Sequence, residues 1–250
     1  MKQNIMKKLD DKISICLDFP LILSSVKSEK QTLVSFVNPF SYNVLIKSPE
    51  IIDGIDYFYS DGSLLQRLHN IFHPKSKVAR LSFDYSSIAG EVFEYAQNNA
   101  LKIALVGGTS SEVLKAKENI EDSFPSLEIA YVRSGYFDDQ QDKHETYKRI
   151  EQSGASILIV GMGTPIQDQF IIEAKVSCPS VKLMFTCGGF LTQTSIKPDY
   201  YHPLIKKCGL RWLQRMVMHK HVRQRVIKDY PKFLMSYLYE HIAMLTFRKN

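Results

Sequence analysis

The chain has 250 residues, 44% hydrophobic and 23% charged, with a formal net charge of +6. That size supports one large domain, or one domain with an appendage, and no apolar run reaches the roughly 18 residues a membrane span needs. The N-terminus (Met1 to Asp11) is polar, without the apolar stretch of a signal peptide, and the four scattered cysteines (Cys16, Cys178, Cys187, Cys208) make neither a metal-type pair nor a disulfide framework. The expectation is a cytosolic protein with free, buried thiols.

In chain order, Thr32 to Val37 predicts a strand leading into Asn38-Pro39, and Pro39 to Lys47 a short helix. Ile55 to Tyr59 predicts a strand broken by Ser60-Asp61-Gly62. A helix follows over Ser63 to Phe72, with Leu64, Leu65, Leu68 and Ile71 on one face. Val78 to Phe83 reads as a further short strand, and Ser86 or Ser87 caps a helix running to Asn98. Leu101 to Val106, Leu127 to Val132, Ile157 to Val160 and Val181 to Thr186 read as buried strands. Between them lie helices from Ser110 or Ser111 to Glu121, Asp139 to Ser153, and Pro165 to Val176. Strands alternating with helices of about 10–15 residues indicate βαβ units. The fold class expected is α/β: a Rossmann-like, mostly parallel sheet flanked by helices.

Ligands in such sheets bind beyond the carboxyl ends of the strands. Four polar, glycine-bearing turns fall there: 60–62, 107–109, 161–164 and 187–189. The most particular is the run Ile157-Leu158-Ile159-Val160-Gly161-Met162-Gly163-Thr164-Pro165-Ile166-Gln167-Asp168. A fully apolar strand ends in glycines that let a ligand approach the backbone, and Pro165 suits the first position of a helix whose exposed N–H groups favour a phosphate.

After residue 198 the pattern changes. Gly209 to Ile227 and Pro231 to Phe247 read as two basic amphipathic helices, so residues 1–198 form the expected core and 199–250 an appendage. Residues 211–250 hold nine Lys/Arg and two acids, a charge of +7 against −1 for the rest. Such a tail suits an anionic partner: phosphate groups, nucleic acid or an anionic membrane surface. Trp212, Met216, Tyr230, Phe233, Tyr237 and Tyr239 are interleaved with the cations, as in helices that lie in bilayer interfaces, and the same aromatics also suit packing on the core. None of the seven histidines pairs with a Cys or Asp at a metal or triad spacing. There is no Asp-x-Asp clamp for a metal-bound diphosphate.

From Thr32 to Lys232 the chain resembles the WecG/TagA/CpsF family of bacterial glycosyltransferases (glycosyltransferase family 26). Gly161-Met162-Gly163-Thr164-Pro165-Ile166-Gln167-Asp168 is similar to the family's V-G-x-G-x-P-x-Q-E. Asn38-Pro39, Asp61-Gly62, Gly107-Gly108, Gly135-Tyr136-Phe137, Gly188-Gly189-Phe190 and Gly209-Leu210-Arg211-Trp212-Leu213-Gln214-Arg215 follow in the family's order. The resemblance implies an inverting transfer, without cofactor or metal, from a UDP-sugar to a saccharide on a polyprenyl diphosphate in cell-surface polysaccharide synthesis. It implies an enzyme held peripherally at the inner membrane face, and self-association is known in the family.

Residue by residue, the resemblance puts Asp61 at the general base, where an inverting transfer needs a carboxylate; alone, Asp-Gly is a turn. Asn38 falls near the sugar pocket, or is a helix cap beside Pro39. Arg80 is placed to neutralise the leaving diphosphate. Gly107, Gly108 and Thr109 read as a backbone cradle or a plain turn. Gly161, Gly163, Gln167, Asp168 and Gly188 read as donor-binding, and Arg215, Arg223 and Arg225 as contacts to donor or lipid diphosphate. Phe36, Thr192, Arg211 and Tyr200-Tyr201-His202-Pro203 depart from the family pattern, which implies altered donor or acceptor preference. Two alternatives remain at this point: a nucleic-acid-binding protein using the basic helices, and a catalytically inactive relative that binds nucleotide sugar.

Overall fold

The computed structural model describes residues 2–13, 19–197, 216–217 and 220–247. Six strands form one all-parallel sheet: β1 (Thr32–Val37), β2 (Tyr57–Ser60), β3 (Lys102–Gly107), β4 (Glu128–Arg133), β5 (Ile157–Gly161) and β6 (Leu183–Thr186). Their spatial order is β2-β1-β6-β5-β3-β4. Helices α1 (Lys2–Lys12), α2 (Phe19–Ser24), α3 (Pro39–Leu45), α4 (Pro49–Gly54), α5 (Ser63–Phe72), α6 (Ala89–Asn98), α7 (Ser110–Ser123), α8 (Gln140–Gln152), α9 (Ile166–Ser177) and α10 (Phe190–Ile196) cover it. A C-terminal helix spans Lys220–Phe247.

Side chains along a strand alternate between faces, and the core divides accordingly. Ala104, Val106, Leu158, Val160 and Met184 join one cluster with α1, α3, α5, α9 and the C-terminal helix. Ile103, Leu105, Ile157, Ile159, Leu183 and Phe185 join the other with α2, α6, α7 and α10. Burial on both faces is why these strands read as unbroken apolar runs. Cys178 and Cys187 are free and buried, as expected; Cys16 and Cys208 lie outside the described residues.

Register brings the glycine-bearing turns to one edge. Val37 pairs with Ser60, Gly107 with Gly161, and Val160 with Thr186. The next residues of each chain therefore open side by side at the carboxyl end. The chain winds from β1 to β2 in one direction and from β3 to β4 in the other, which leaves a crevice between them.

Several local expectations are corrected. Val78 to Phe83 is no strand; only a Ser60–Arg80 bridge forms there. Ser86 and Ser87 cap nothing. The Ser86 amide instead donates to Asp84 Oδ1 at 2.8 Å, and Ser87 Oγ accepts from the Ser82 amide at 3.2 Å, so α6 starts later, at Ala89. Pro165 occupies the N-cap of α9 rather than its first turn. Helices α1, α2 and α4 were not foreseen. Between residues 220 and 247 one helix runs through Pro231 rather than breaking there. An interior proline costs about 3 kcal/mol, and burial of Phe233 and Tyr237 against Tyr42 of α3, with ring centroids 5.3 Å from it in both cases, offsets that cost. The first predicted C-terminal helix falls mostly outside the described residues up to Lys220.

Candidate active site

A cavity of about 1010 Å³ lies at the carboxyl edge of the sheet, at the upper end of the range for small-molecule sites. It is lined by Asn38, Asp61, Arg80, Gly108, Thr109, Gly161, Gly163, Gln167 and Gly188. Nine of the residues singled out from sequence thus meet in one place, although they span the chain from residue 38 to residue 188. Gly107 and Asp168 do not line it. Arg223 is exposed on the C-terminal helix and is not among the described lining residues. Arg215 and the side chain of Arg225 lie outside the described residues.

Asp61 follows β2 directly. Its amide donates to the Val37 carbonyl at 2.7 Å, which fixes it beside the end of β1. Its carboxylate is 26% exposed, enough to meet a substrate. Gly62, at the cap of α5, has φ +125°, where side-chain-bearing residues are strained. That backbone turns the chain into α5 and leaves Asp61 facing the cavity. Arg80 Nη2 lies 3.6 Å from Asp61 Oδ1 and 3.5 Å from Asp84 Oδ2, and donates to Ser82 Oγ at 2.7 Å. Ser82 Oγ in turn donates to Asp84 Oδ2 at 2.8 Å. Asp84 and Ser82 thus hold the guanidinium beside the Asp61 carboxylate.

Asn38 is the cap of α3. Its Oδ1 accepts from the amides of Phe40 and Ser41, both at 3.0 Å, and Ser41 Oγ accepts from the Asn38 amide at 2.8 Å. The oxygen is committed to the cap, so any ligand contact falls to Nδ2.

The glycine turns differ from the expected phosphate cradle. The Thr109 amide donates to Glu112 Oε2 at 2.7 Å, and Thr109 Oγ1 accepts from the Glu112 amide at 3.3 Å. This capping box takes up the Thr109 and Glu112 N–H groups and places a carboxylate at the cavity wall, which repels a diphosphate. The Gly108 amide is bonded to the Gly161 carbonyl at 3.3 Å. Gln167 Oε1 accepts from the amides of Gly163 and Gly188, each at 3.1 Å. Gln167 therefore braces two turns against each other across the cavity floor. Gly107 sits beneath, where a Cβ would come within 2.4 Å of the Gly161 carbonyl oxygen. These turns form a close-packed wall that carries the Glu112 carboxylate, and the cavity's arginines, Arg67 and Arg80, come from other segments.

Asp168 lies below the floor, fully buried, and accepts from Ser35 Oγ at 2.5 Å; Thr186 Oγ1 donates to Ser35 Oγ at 3.0 Å. Burial pushes its carboxyl up to about 6. It ties the first turn of α9 to β1 and, through Ser35, to β6, and it does not line the cavity.

The structure adds lining residues that sequence reasoning passed over. Arg67 lies one helical turn from Ser63 on the cavity side of α5, a spacing that was readable. The pair Thr109-x-x-Glu112 is a written capping-box signature. Val226 and Tyr230 bring the C-terminal helix to the cavity, and nothing in their local sequence marks that.

Among known proteins, the glycosyl transferase WecG/TagA/CpsF family matches over residues 13–245. A UDP-Gal:alpha-D-GlcNAc-diphosphoundecaprenol beta-1,4-galactosyltransferase of Shigella boydii is 42% identical over 218 residues, covering 87% of this chain and 90% of the relative. With the match spanning both the cavity and the helix that closes it, the chain belongs to the WecG/TagA/CpsF family of glycosyl transferases.

Proposed function

We propose that the protein transfers a hexose, galactose by analogy with its relative, from a UDP-sugar to N-acetylglucosamine carried on a polyprenyl diphosphate. The observation that carries this reading is the Asp61 carboxylate, open to a nucleotide-sugar-sized cavity and paired with Arg80. An acceptor hydroxyl attacks the anomeric carbon from the face opposite UDP. The new C–O bond forms as the bond to the diphosphate oxygen breaks; its electron pair leaves with UDP, and the hydroxyl proton passes to Asp61. A donor of the UDP-galactose type is α-linked, so a β product follows from this single inversion.

Arg80 and Arg67 carry the leaving-group charge in this reading, an electrostatic role suited to guanidinium groups. The nucleoside lies along the glycine turns at Gly163 and Gly188. No metal is assigned a part in the transfer, in keeping with the lack of an Asp-x-Asp pair in the sequence.

The lipid acceptor requires a membrane surface. No helix among the described residues is long and apolar enough to cross one. The C-terminal helix instead presents an exposed stripe of Lys228, Lys232, Met235, Tyr239 and Ile242, spaced three and four apart. Cations at one end and apolar side chains at the other suit peripheral docking on an anionic inner leaflet. The family match and the relative's chemistry favour this reading over nucleic-acid binding.

A donor screen tests it. The protein is incubated with a panel of UDP-sugars and a short-chain polyprenyl-diphosphate N-acetylglucosamine, and the lipid product is weighed by mass spectrometry. A gain of one hexose is the expected result. No product with any donor, with or without added divalent metal, contradicts the proposal.

A further inference from the structure

Away from the cavity, α1, α5 and the C-terminal helix bring four ligand-type side chains together in the core. Asp10 Oδ2 lies 2.9 Å from His241 Nε2 and 3.8 Å from His73 Nε2. His69 Nε2 lies 3.3 Å from the Asp10 carbonyl. One ligand atom from each of Asp10, His69 and His73 falls within 4.8 Å of the others. His69 lies in the last turn of α5 and His73 is the C-cap residue that follows it, so the end of one helix presents both imidazoles. Their rings stack with centroids 4.5 Å apart.

A hydrogen-bonded core network explains only part of this. Asp10 Oδ1 already accepts from Tyr42 Oη at 3.0 Å and Tyr237 Oη at 3.4 Å, and Oδ2 has His241. Three imidazoles around one carboxylate exceed what it needs. Two of their nitrogens, His69 Nδ1 and His73 Nε2, are buried with no hydrogen-bond partner, so they are desolvated without compensation.

The backbone contacts are those of metal-ligating histidines. A carbonyl holds one ring N–H and leaves a lone pair on the other nitrogen. The Tyr237 carbonyl faces His241 Nδ1 at 2.8 Å, leaving Nε2 toward Asp10. The Asp10 carbonyl does the same for His69, leaving Nδ1. Zinc takes nitrogen and oxygen donors at about 2.0–2.2 Å, which places neighbouring ligand atoms a little over 3 Å apart in a tetrahedron. A bound ion would draw the ligand atoms of Asp10, His69 and His73, now within 4.8 Å of one another, to that spacing, with His241 Nε2 beside them at 2.9 Å from Asp10 Oδ2.

We propose that Asp10, His69, His73 and His241 form a structural site for a zinc-class divalent ion. The ion ties three helices at a point remote from the chemistry. Helix α5 begins beside Asp61 at the cavity, and the C-terminal helix supplies Tyr230 to it some 16 Å before reaching His241, at 1.5 Å per residue. The site therefore fixes the helix that closes the cavity without touching the substrates, and the inference does not depend on which sugar is transferred.

The test uses the whole chain, stripped with a chelator and titrated with Zn²⁺ by calorimetry, with Co²⁺ as a spectroscopic probe. Expected are one Zn²⁺ per chain bound below about 1 µM, a rise in melting temperature of about 5 °C at saturation, and the intense visible bands of four-coordinate Co²⁺. His73→Gln alters a partly exposed side chain and is expected to keep its circular dichroism. It weakens Zn²⁺ more than ~100-fold, beyond the loss typical of an outer partner, while His144→Gln on exposed α8 binds as the parent does. No Zn²⁺ binding tighter than about 100 µM overturns the proposal, as does a six-coordinate Co²⁺ spectrum or parental affinity in His73→Gln. If His73→Gln does not fold, the parent's stoichiometry and Co²⁺ spectrum decide the matter.

Discussion

Replacing Gln167 with methionine removes one acceptor while keeping an unbranched side chain of similar length. Gln167 is 4% exposed, and its Oε1 serves the amides of Gly163 and Gly188 at 3.1 Å each. Both glycines are partly buried. Leaving two such N–H groups unpaired costs about 1–2 kcal/mol each, or about 2–4 kcal/mol together. For a chain of this size that is a fall of about 5–15 °C in melting temperature. Gln167→Glu supplies carboxylate oxygens to the same amides near the start of α9, where negative charge is favoured, and recovers most of the loss. The assay is thermal denaturation by circular dichroism, with Kd for UDP measured on the same samples. UDP binding weakens in the methionine variant, because the two glycine turns no longer hold each other. A methionine variant melting within about 2 °C of the parent refutes the bracing role.

Four further outcomes follow from the geometry. Burial raises Asp168 to about 6 in the folded chain against about 3.9 unfolded, so the folded state holds the extra proton between those values. The stability this contributes is fully present below pH 4 and is lost as pH rises through 6, by about 3 kcal/mol. Melting curves of Asp168→Asn from pH 4 to 7 lose that slope, and an unchanged slope rules it out. Arg80→Gln lowers kcat about 10²–10³-fold by removing a charge-assisted donor at the leaving group, with the fold intact; a change confined to KM contradicts the assignment. Met235→Glu, Tyr239→Glu and Ile242→Glu together abolish sedimentation with anionic vesicles and leave the melting temperature within about 2 °C, since all three side chains are exposed. Vesicle binding that persists sinks the docking face. Asp61→Asn lowers the transfer rate at least about 10²-fold in the same assay as Arg80→Gln.

The sequence showed the sheet well because β3 and β5 are buried on both faces, and Ile103 to Val106 and Ile157 to Val160 are continuous apolar runs. Helix α1 was hidden because its core contacts, Met6 and Leu9, sit among lysines and aspartates in a short, strongly charged segment. Asp61 and Arg80 were found through resemblance; no local pattern distinguishes that Asp-Gly from a turn. The phosphate cradle was misread at Thr109, where the capping box was written in the sequence but passed over in favour of the glycines. The Asp10–His241 pair could not be seen, because its partners are 231 residues apart and meet only once the C-terminal helix docks. Asp168 was misplaced for a related reason: a polar residue beside Gln167 reads as a site residue until β1 and β6 are known to pack over it.

The most direct measurement is single-turnover transfer by Asp61→Asn against the parent, with UDP affinity determined on both. If Asp61 removes the acceptor proton, turnover falls at least about 10²–10⁴-fold while UDP binds within about threefold of the parent. A variant that transfers sugar within about fivefold of the parental rate contradicts the role of Asp61 and, with it, the reading of the cavity.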